Sequence, residues 1–383
     1  MVSALALASA AAADIKIAHI YGKTGPFEAY AKQSHDGLML GLEYATGGTM
    51  EINGEKIVVI EKDTQLKPEN GKALLEEAYG DDEVDLAIGP VSSGVALAML
   101  PVAEEYEKIL IVEPAVADSI TGSNWNRYVF RTSRNSSQDA ISSAIALAGE
   151  DVKIATLAQD YAFGRDGIAA FREALEAKGI ELVHEEYAPT DTTDFTAAGE
   201  RIFNAMKDLG GTKKLFVIWA GGGNPLGKIN AMDPGRHGIE FAGVGNILAA
   251  LKGFKDYEGM EGGTYYYYEL PDNPVNDWLV KTHFERFDGP PDFFTAGGMA
   301  AGIAAVEAIR KAGSTDTEEL IATMEGMEWE TPKGTMKFRA EDHQAMQSMY
   351  HFKLTVQDGV EWAVPELVRE IGIDEMPVPI RNQ

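Results

Sequence analysis

The sequence contains no cysteine among its 383 residues. That one absence removes thiol nucleophiles, disulfide staples and thiolate metal sites together. Positive charge is scarce: 33 Lys and Arg stand against 60 Asp and Glu, a formal net charge of −27. Affinity for nucleic acid rests on cationic contacts to phosphate, so this balance argues against such a partner. The acids are spread thinly, as in Glu76-Glu77, Asp81-Asp82-Glu83 and Glu104-Glu105, which reads as a solvated surface. After residue 13 no run reaches the length of an apolar membrane span.

Catalytic signatures are missing too. "YGKTG" (21–25) contains Gly-Lys-Thr, but Ile17 stands where a phosphate loop needs its first glycine, and Gly25-Pro26 interrupts the helix that should follow. "GVGNIL" (243–248) lacks the third glycine of a dinucleotide fingerprint. The seven histidines are scattered with no HExxH, and "EDHQ" (341–344) is expected in a solvated turn without a metal. Pro90 and Val91 occupy the place of the first glycine of a nucleophile elbow before Ser92 and Ser93. The expectation is a protein that is not an enzyme and needs neither cofactor nor metal.

What is present is a rhythm. Strand signals at 15–21, 56–63, 84–90 and 108–114 alternate with helical stretches at 30–46, 68–79 and 94–107. The pattern pauses at "NWNRYVFRTSRNSSQDA" and restarts with strands at 152–159, 180–187, 214–221 and 239–245, separated by helices at 164–178, 193–209 and 224–232. Ile- and Val-rich strands alternating with helices predict parallel sheets covered by helices. "GGTYYYYEL" (262–270) reads as a further strand whose tyrosines alternate faces and mostly serve the core, followed by helices at 274–287 and 294–312 and a closing hairpin-like pair of strands. The length suits two lobes. At the N-terminus, residues 2–13 are small and apolar, and Ala11-Ala12-Ala13 fits a cleavage site before Asp14, although the basic region that normally precedes it is lacking. Residues 1–13 read as a signal-peptide remnant, or alternatively as a plain Ala-rich tail.

Ligands of open α/β sheets sit beyond the carboxyl ends of the strands. Those ends carry Tyr21, Gly89–Gly94, Glu113–Ala117, Gln159–Gly164, Trp219–Asn224 and Gly243–Asn246, on both units, which suggests one ligand held between two faces. In "LAIGPVSSGVALAMLPVAEEY" (86–106), Ser92 and Ser93 stand at a strand-to-helix corner. They serve either as a helix cap or, with the free amides of the helix start, as a seat for a carboxylate.

Taken in order, "IKIAHIYGKTGPFEAYA", "AIGPVSSGVALAMLPVAEEY", "VEPAVADSITG", "YVFRTSRNSSQ", "QDYAFGRDGIAAFREALEAKGIELVHEEYAPTDTTDF" and "EGMEGGTYYYYELPDNP" resemble the leucine/isoleucine/valine-binding protein family over nearly the whole chain after residue 13. The resemblance implies the type I periplasmic binding protein fold, two doubly wound Rossmann-like lobes joined by a three-strand hinge. Lobe 1 would comprise 14–130 and 266–334 and lobe 2 131–265 and 335–383, with crossings near Phe130, Gly263 and Thr335. It implies a periplasmic, monomeric receptor that passes a small molecule to the membrane permease of an ABC importer.

Residue by residue, Ser92 and Ser93 match the carboxylate seat, Ala115 and Ala117 its second loop, and Tyr30 an aromatic that closes on the ligand. In lobe 2, Phe163 occupies the place of a ligand-stacking tyrosine, with Tyr161 two residues away and Trp219 near the next strand end, where the "WAGGGNP" loop differs in length from the family. Amino-acid-binding relatives place an acid near "FAGVGN" to pair with the ammonium; here Gly245 and Asn246 stand there, with Asp118 or Asp160 as the substitutes to consider. An ammonium buried without an anion is costly. The expected ligand is therefore a small apolar or aromatic organic acid. The alternatives are a branched-chain or related amino acid, or a role as the sensing domain of a regulator.

Overall fold

The run Ile15–Tyr21 is apolar at nearly every position and takes the centre of a sheet as β1. Ile15 lies opposite Ile57 on one side and Ile17 opposite Leu86 on the other, both neighbours parallel. The computed structural model describes residues 14–383, so the reading of residues 1–13 as a signal-peptide remnant lies outside the described residues. β2 (Glu51–Ile52), β3 (Glu55–Asp63), β4 (Leu86–Ile88), β5 (Ile109–Val112) and β6 (Val129–Arg131) complete the first sheet in the order β2-β3-β1-β4-β5-β6. Helices α1 (Glu28–Ala45), α2 (Pro68–Gly80) and α3 (Ser93–Glu105) form crossovers between its strands. β4 and β5 are buried at every residue, as a parallel sheet covered on both faces requires.

After α4 (Ser136–Leu147), a second parallel sheet is built from β7 (Val152–Gln159), β8 (Glu181–Ala188), β9 (Thr212–Ile218) and β10 (Ile239–Gly243), in the order β10-β9-β7-β8. Its connections are α5 (Ala162–Ala177), α6 (Thr196–Met206) and the short α7 (Leu226–Asn230). The chain continues through α8 (Leu248–Lys252), β11 (Glu261–Thr264), α9 (Pro274–Phe287), α10 (Phe293–Ala312) and α11 (Thr317–Met324). It ends with β12 (Glu328–Thr331), β13 (Gly334–Phe338), β14 (Ala345–Met346), β15 (Met349–Thr355) and β16 (Val364–Ile371). This is the type I periplasmic binding protein architecture.

α10 returns to lobe 1 and lies against α1 with the two backbones in contact. A Cβ on Gly37 would stand 2.1 Å from the Thr295 carbonyl oxygen, and one on Gly298 2.1 Å from that of Ser34. No larger residue fits this crossing. By length and composition α10 is apolar enough to cross a membrane, which corrects the expectation that no such run follows residue 13. Eighty-nine per cent of its apolar window is buried inside the protein, so it is a core helix.

Four further expectations change. The apparent pause near residue 130 holds β6, which pairs parallel with β5, and then α4, started by a reciprocal cap: the Asn135 side chain accepts the Gln138 N–H at 2.8 Å and the Gln138 side chain accepts the Asn135 N–H at 2.9 Å. The division at Thr335 cuts a paired hairpin, since Thr335 lies opposite Glu330 and Phe338 opposite Ala345. We propose that the chain crosses later, between β14 and β15. "EDHQ" is not solvated: Asp342, His343 and Gln344 are buried, His343 stacks on Phe130 at 3.9 Å, and Gln344 accepts from Arg131 Nε at 2.6 Å. Lastly, the strand at 262–270 ends at Thr264. Tyr265 and Tyr266 do not alternate along a strand; both are buried, with hydroxyls donating to Phe293 O (2.6 Å) and Asn276 Oδ1 (2.8 Å). Buried phenols need acceptors, and these lie off the strand.

Candidate functional site

β4 delivers the chain into Gly89-Pro90-Val91-Ser92, and α3 begins at Ser93. Ser92 has extended backbone geometry and stands at the cap position, yet its hydroxyl makes no capping hydrogen bond. Ser93 Oγ accepts the N–H of Ala117 at 3.2 Å, which ties the corner to the loop after β5. Accepting there leaves the hydroxyl hydrogen of Ser93 free to donate. Pro114 and Val116 from that loop present apolar surface beside it.

The facing lobe contributes three strand ends. Tyr161 precedes α5 and Phe163 lies in its first turn, the two rings 5.9 Å apart. Trp219 follows β9, edge-on to Phe195 at 5.3 Å, with its indole N–H on Gly222 O at 3.2 Å. Gln159 fixes the β7 and β9 loops together, accepting from Ala220 N and donating to Ala220 O, both at 3.0 Å. Beyond β10, Gly245 and Asn246 approach Tyr30 of α1. The Tyr30 hydroxyl accepts the Gly221 N–H at 2.9 Å and lies 3.4 Å from Asn246 Oδ1. Burial raises the Tyr30 and Tyr161 phenols above their ordinary pKa, so both stay protonated.

These groups line a narrow, partly open cavity between the two lobes. Of the residues expected from sequence, Tyr30, Ser93, Tyr161, Phe163, Trp219 and Asn246 are brought together on its wall. Ser92, Ala115 and Ala117 are not. Both backbone groups of Ala115 are engaged, N–H to Pro90 O and carbonyl from Ser133 Oγ, and those of Ala117 meet Ser93 and Arg131. Asp118 and Asp160 are also away from the wall: Asp118 accepts from Ser137, and Asp160 pairs at the surface with Arg165.

The sequence reading missed Arg134. It is 6% exposed and lines the cavity, with Nε on Asp139 Oδ1 at 3.1 Å and its guanidinium 4.8 Å from the Tyr265 ring centre and 5.1 Å from that of Phe293. Burial opposes its charge, but Asp139, Tyr265 and Glu113 outweigh burial and hold its pKa above the ordinary value. It stays a cation. The usable signal was the Asn-Ser-Ser-Gln cap directly after it, which marks a loop between β6 and a helix. Phe27, Phe293 and Phe294 also line the wall.

Gly245 explains the missing acid in steric terms. A Cβ there would stand 2.0 Å from Thr264 Oγ1 and 2.3 Å from Thr264 Cβ, so no side chain fits. Among the described residues no Asp or Glu lines the cavity.

The lobes also touch outside the cavity. Ser119 donates through its N–H (2.8 Å) and Oγ (2.7 Å) to Asp166 of α5. Asp292, which caps α10, also accepts the Leu248 N–H at the start of α8 at 3.0 Å.

The profile of a family described as periplasmic binding protein matches residues 14–359. The Leu/Ile/Val-binding protein BraC3 of Rhizobium johnstonii is 28% identical over 341 residues, 84% of this chain and 86% of the relative. A crystal structure described as an ABC-type branched-chain amino acid transporter, from Rhodopseudomonas palustris CGA009, is 65% identical with a TM-score of 0.87, covering 97% of this chain and 100% of that one. A solute binding protein of an ABC transporter from Rhodopseudomonas palustris BisB5, in complex with 3,4-dihydroxybenzoic acid, is 29% identical with a TM-score of 0.82, covering 95% and 99%.

Proposed function

We propose, from the premise that this chain belongs to the periplasmic binding protein family, that it captures small organic acids with an apolar or aromatic body. Members of the family bind small molecules and deliver them to the permeases of ABC transporters; they are receptors, not enzymes. The observation that carries the ligand class is the charge of the wall: one buried guanidinium, Arg134, and no carboxylate. A carboxylate ligand finds a cation and the free hydroxyl hydrogen of Ser93. A zwitterion would bury its ammonium without an anion, at a cost of several kcal/mol per ion (on the order of 3–5). The rings of Tyr30, Phe27, Phe163 and Trp219 suit a flat apolar body.

In this reading the acid docks first on lobe 1, at Ser93. Closure then brings Tyr161, Phe163 and Trp219 over it, driven by contacts that exist only in the closed arrangement. The complex of the 29% identical relative with a dihydroxybenzoic acid supports an aromatic ligand. A second reading, a branched-chain amino acid, is favoured by the description of the 65% identical structure.

A thermal-shift series separates the two. Benzoate, hydroxybenzoates and aliphatic carboxylates are compared with Leu, Ile and Val, each at a large excess. Binding at one hundred times Kd stabilises by about 2.7 kcal/mol, a shift of several degrees. Stabilisation by aromatic acids and not by Leu, Ile or Val supports the proposal. Stabilisation by Leu or Ile with every simple carboxylate inert overturns it.

A further inference from the structure

The polar side chains of the cavity wall are those of Tyr30, Ser93, Arg134, Tyr161, Trp219 and Asn246. Two of them are engaged within the fold. The Tyr30 hydroxyl accepts from Gly221 and donates to Asn246, and the Trp219 indole donates to Gly222. Two more form the acid seat: Arg134 through the terminal N–H groups that its bond to Asp139 leaves over, and Ser93 through its hydroxyl hydrogen. Tyr161 and Asn246 remain. Among the described residues the Tyr161 hydroxyl has no hydrogen-bond partner, although burial raises its pKa and the Tyr30 phenol raises it further. The Asn246 amide is oriented by its oxygen, which accepts the Ile247 N–H at 2.8 Å and the Tyr30 hydroxyl at 3.4 Å. Its Nδ2 hydrogens are therefore the edge left over to donate. Buried polar groups are normally bonded, and each exception asks for a reason.

We infer that Tyr161 and Asn246 form a second polar pole of the cavity, which reads a hydroxyl carried on the body of the ligand. The inference rests on the organic-acid reading above and narrows it to hydroxylated acids. Asn246 is bonded to the Tyr30 hydroxyl, and Tyr161 stands close enough to feel its charge, so the two share one neighbourhood on the second lobe. The acid itself docks on Ser93 of the first lobe, and Arg134 serves the carboxylate alone. The match to a hydroxyl follows from the donors and acceptors present. The Asn246 Nδ2 group only donates, while the protonated Tyr161 phenol can accept as well. A ligand hydroxyl accepts from the first and donates to the second, which leaves neither unpaired. A bare ring pairs with neither, and both groups then lose water without compensation. Sites built to bond a ligand hydroxyl discriminate strongly against the analogue that lacks it.

The test is a calorimetric comparison on the whole chain of benzoate, 4-fluorobenzoate, 3-hydroxybenzoate and 4-hydroxybenzoate. Fluorine adds bulk to the ring without a proton to donate. At least one hydroxybenzoate is expected to bind roughly tenfold or more tighter than both benzoate and 4-fluorobenzoate. Tyr161→Phe keeps the ring, removes the partnerless hydroxyl and is expected to lower that ratio by roughly fivefold or more. The inference is overturned if benzoate binds and neither hydroxybenzoate binds more tightly, a result that leaves the organic-acid reading intact. It is also overturned if 4-fluorobenzoate gains as much as the hydroxy acids, or if Tyr161→Phe folds, judged by its thermal midpoint, and keeps the ratio. If no carboxylate binds at all, the functional reading itself fails and the second pole with it. Should Tyr161→Phe not fold, the wild-type comparison decides alone.

Discussion

The hydroxyl of Tyr30, on the first lobe, accepts the backbone N–H of Gly221, on the second, at 2.9 Å. A single phenol thus spans the cleft and stands beside the ligand cavity. Tyr30→Phe keeps the ring, which packs 4.5 Å from Phe294, and removes this bond together with the 3.4 Å one to Asn246 Oδ1. Leaving the Gly221 N–H without a partner in the closed form costs about 1–2 kcal/mol. Ligand dissociation should accelerate by roughly ten-fold with little change in association, as stopped-flow fluorescence would register. An unchanged dissociation rate would show that the bond plays no part in holding the lobes together.

The two adjacent serines separate cap from seat. Ser92 makes no capping bond, so Ser92→Ala should alter the thermal midpoint and the affinity very little, within about 0.5 kcal/mol. Ser93→Ala should weaken carboxylate binding by roughly 1–3 kcal/mol, the value of a hydrogen bond to a charged group. Equal effects from the two substitutions in titration calorimetry would contradict the distinction.

Arg134 is coupled to Asp139, and that coupling shapes its test. Arg134→Met removes the cation and strands a buried carboxylate, so both binding and stability should fall, the latter by about 3–5 kcal/mol. In Arg134→Met combined with Asp139→Asn, the thermal midpoint should largely recover while the affinity for benzoate stays low. Recovery of affinity in the double variant would assign Arg134 to structure alone.

Gly245→Ala should destabilise through the Thr264 contact by about 1–3 kcal/mol. Thr264→Gly in the same chain should recover part of that loss, giving a favourable coupling in a double-mutant cycle. Additive losses in denaturant melts would mean the contact is not the reason for the glycine.

Asp292 gives a pH dependence of known sign. Burial pushes its carboxyl from 3.8 up to about 6, against the opposing hydrogen bonds from Phe293, Leu248 and Gln33. The folded chain therefore holds this proton more tightly than the unfolded one. Its contribution to stability is fully present below about pH 4 and is lost as pH rises through about 6, by 2–3 kcal/mol at most. The midpoint difference between wild type and Asp292→Asn should shift against wild type from pH 4 to pH 7. A difference independent of pH across that window would contradict the raised value.

The parallel strands were legible because β1, β4 and β5 are apolar runs whose meaning does not depend on neighbours. The strand ends were legible for the same reason, and with them six residues of the cavity wall. Arg134 was not, because β6 is three residues long and is recognisable only by its pairing with β5. Phe293 and Phe294 reach the wall from a helix start more than 250 residues after Tyr30, a juxtaposition that tertiary packing alone creates. At Tyr265 and Tyr266 the local alternation pointed to a strand, but the acceptors on Phe293 and Asn276 turned the chain away from it. His343 and Gln344 look like turn residues until Arg131 and Phe130 supply partners for them.

The glycine-to-backbone contact of α1 with α10 has a bearing on how ligands are told apart. Tyr30 lies in the first turn of one helix and Phe294 in that of the other, so both rings ride on elements clamped main chain to main chain. That side of the cleft behaves as a fixed plate. Accommodation of different guests then falls to the opposite side, where the rings stand on loops and a helix end, and inherited changes in preference should collect there.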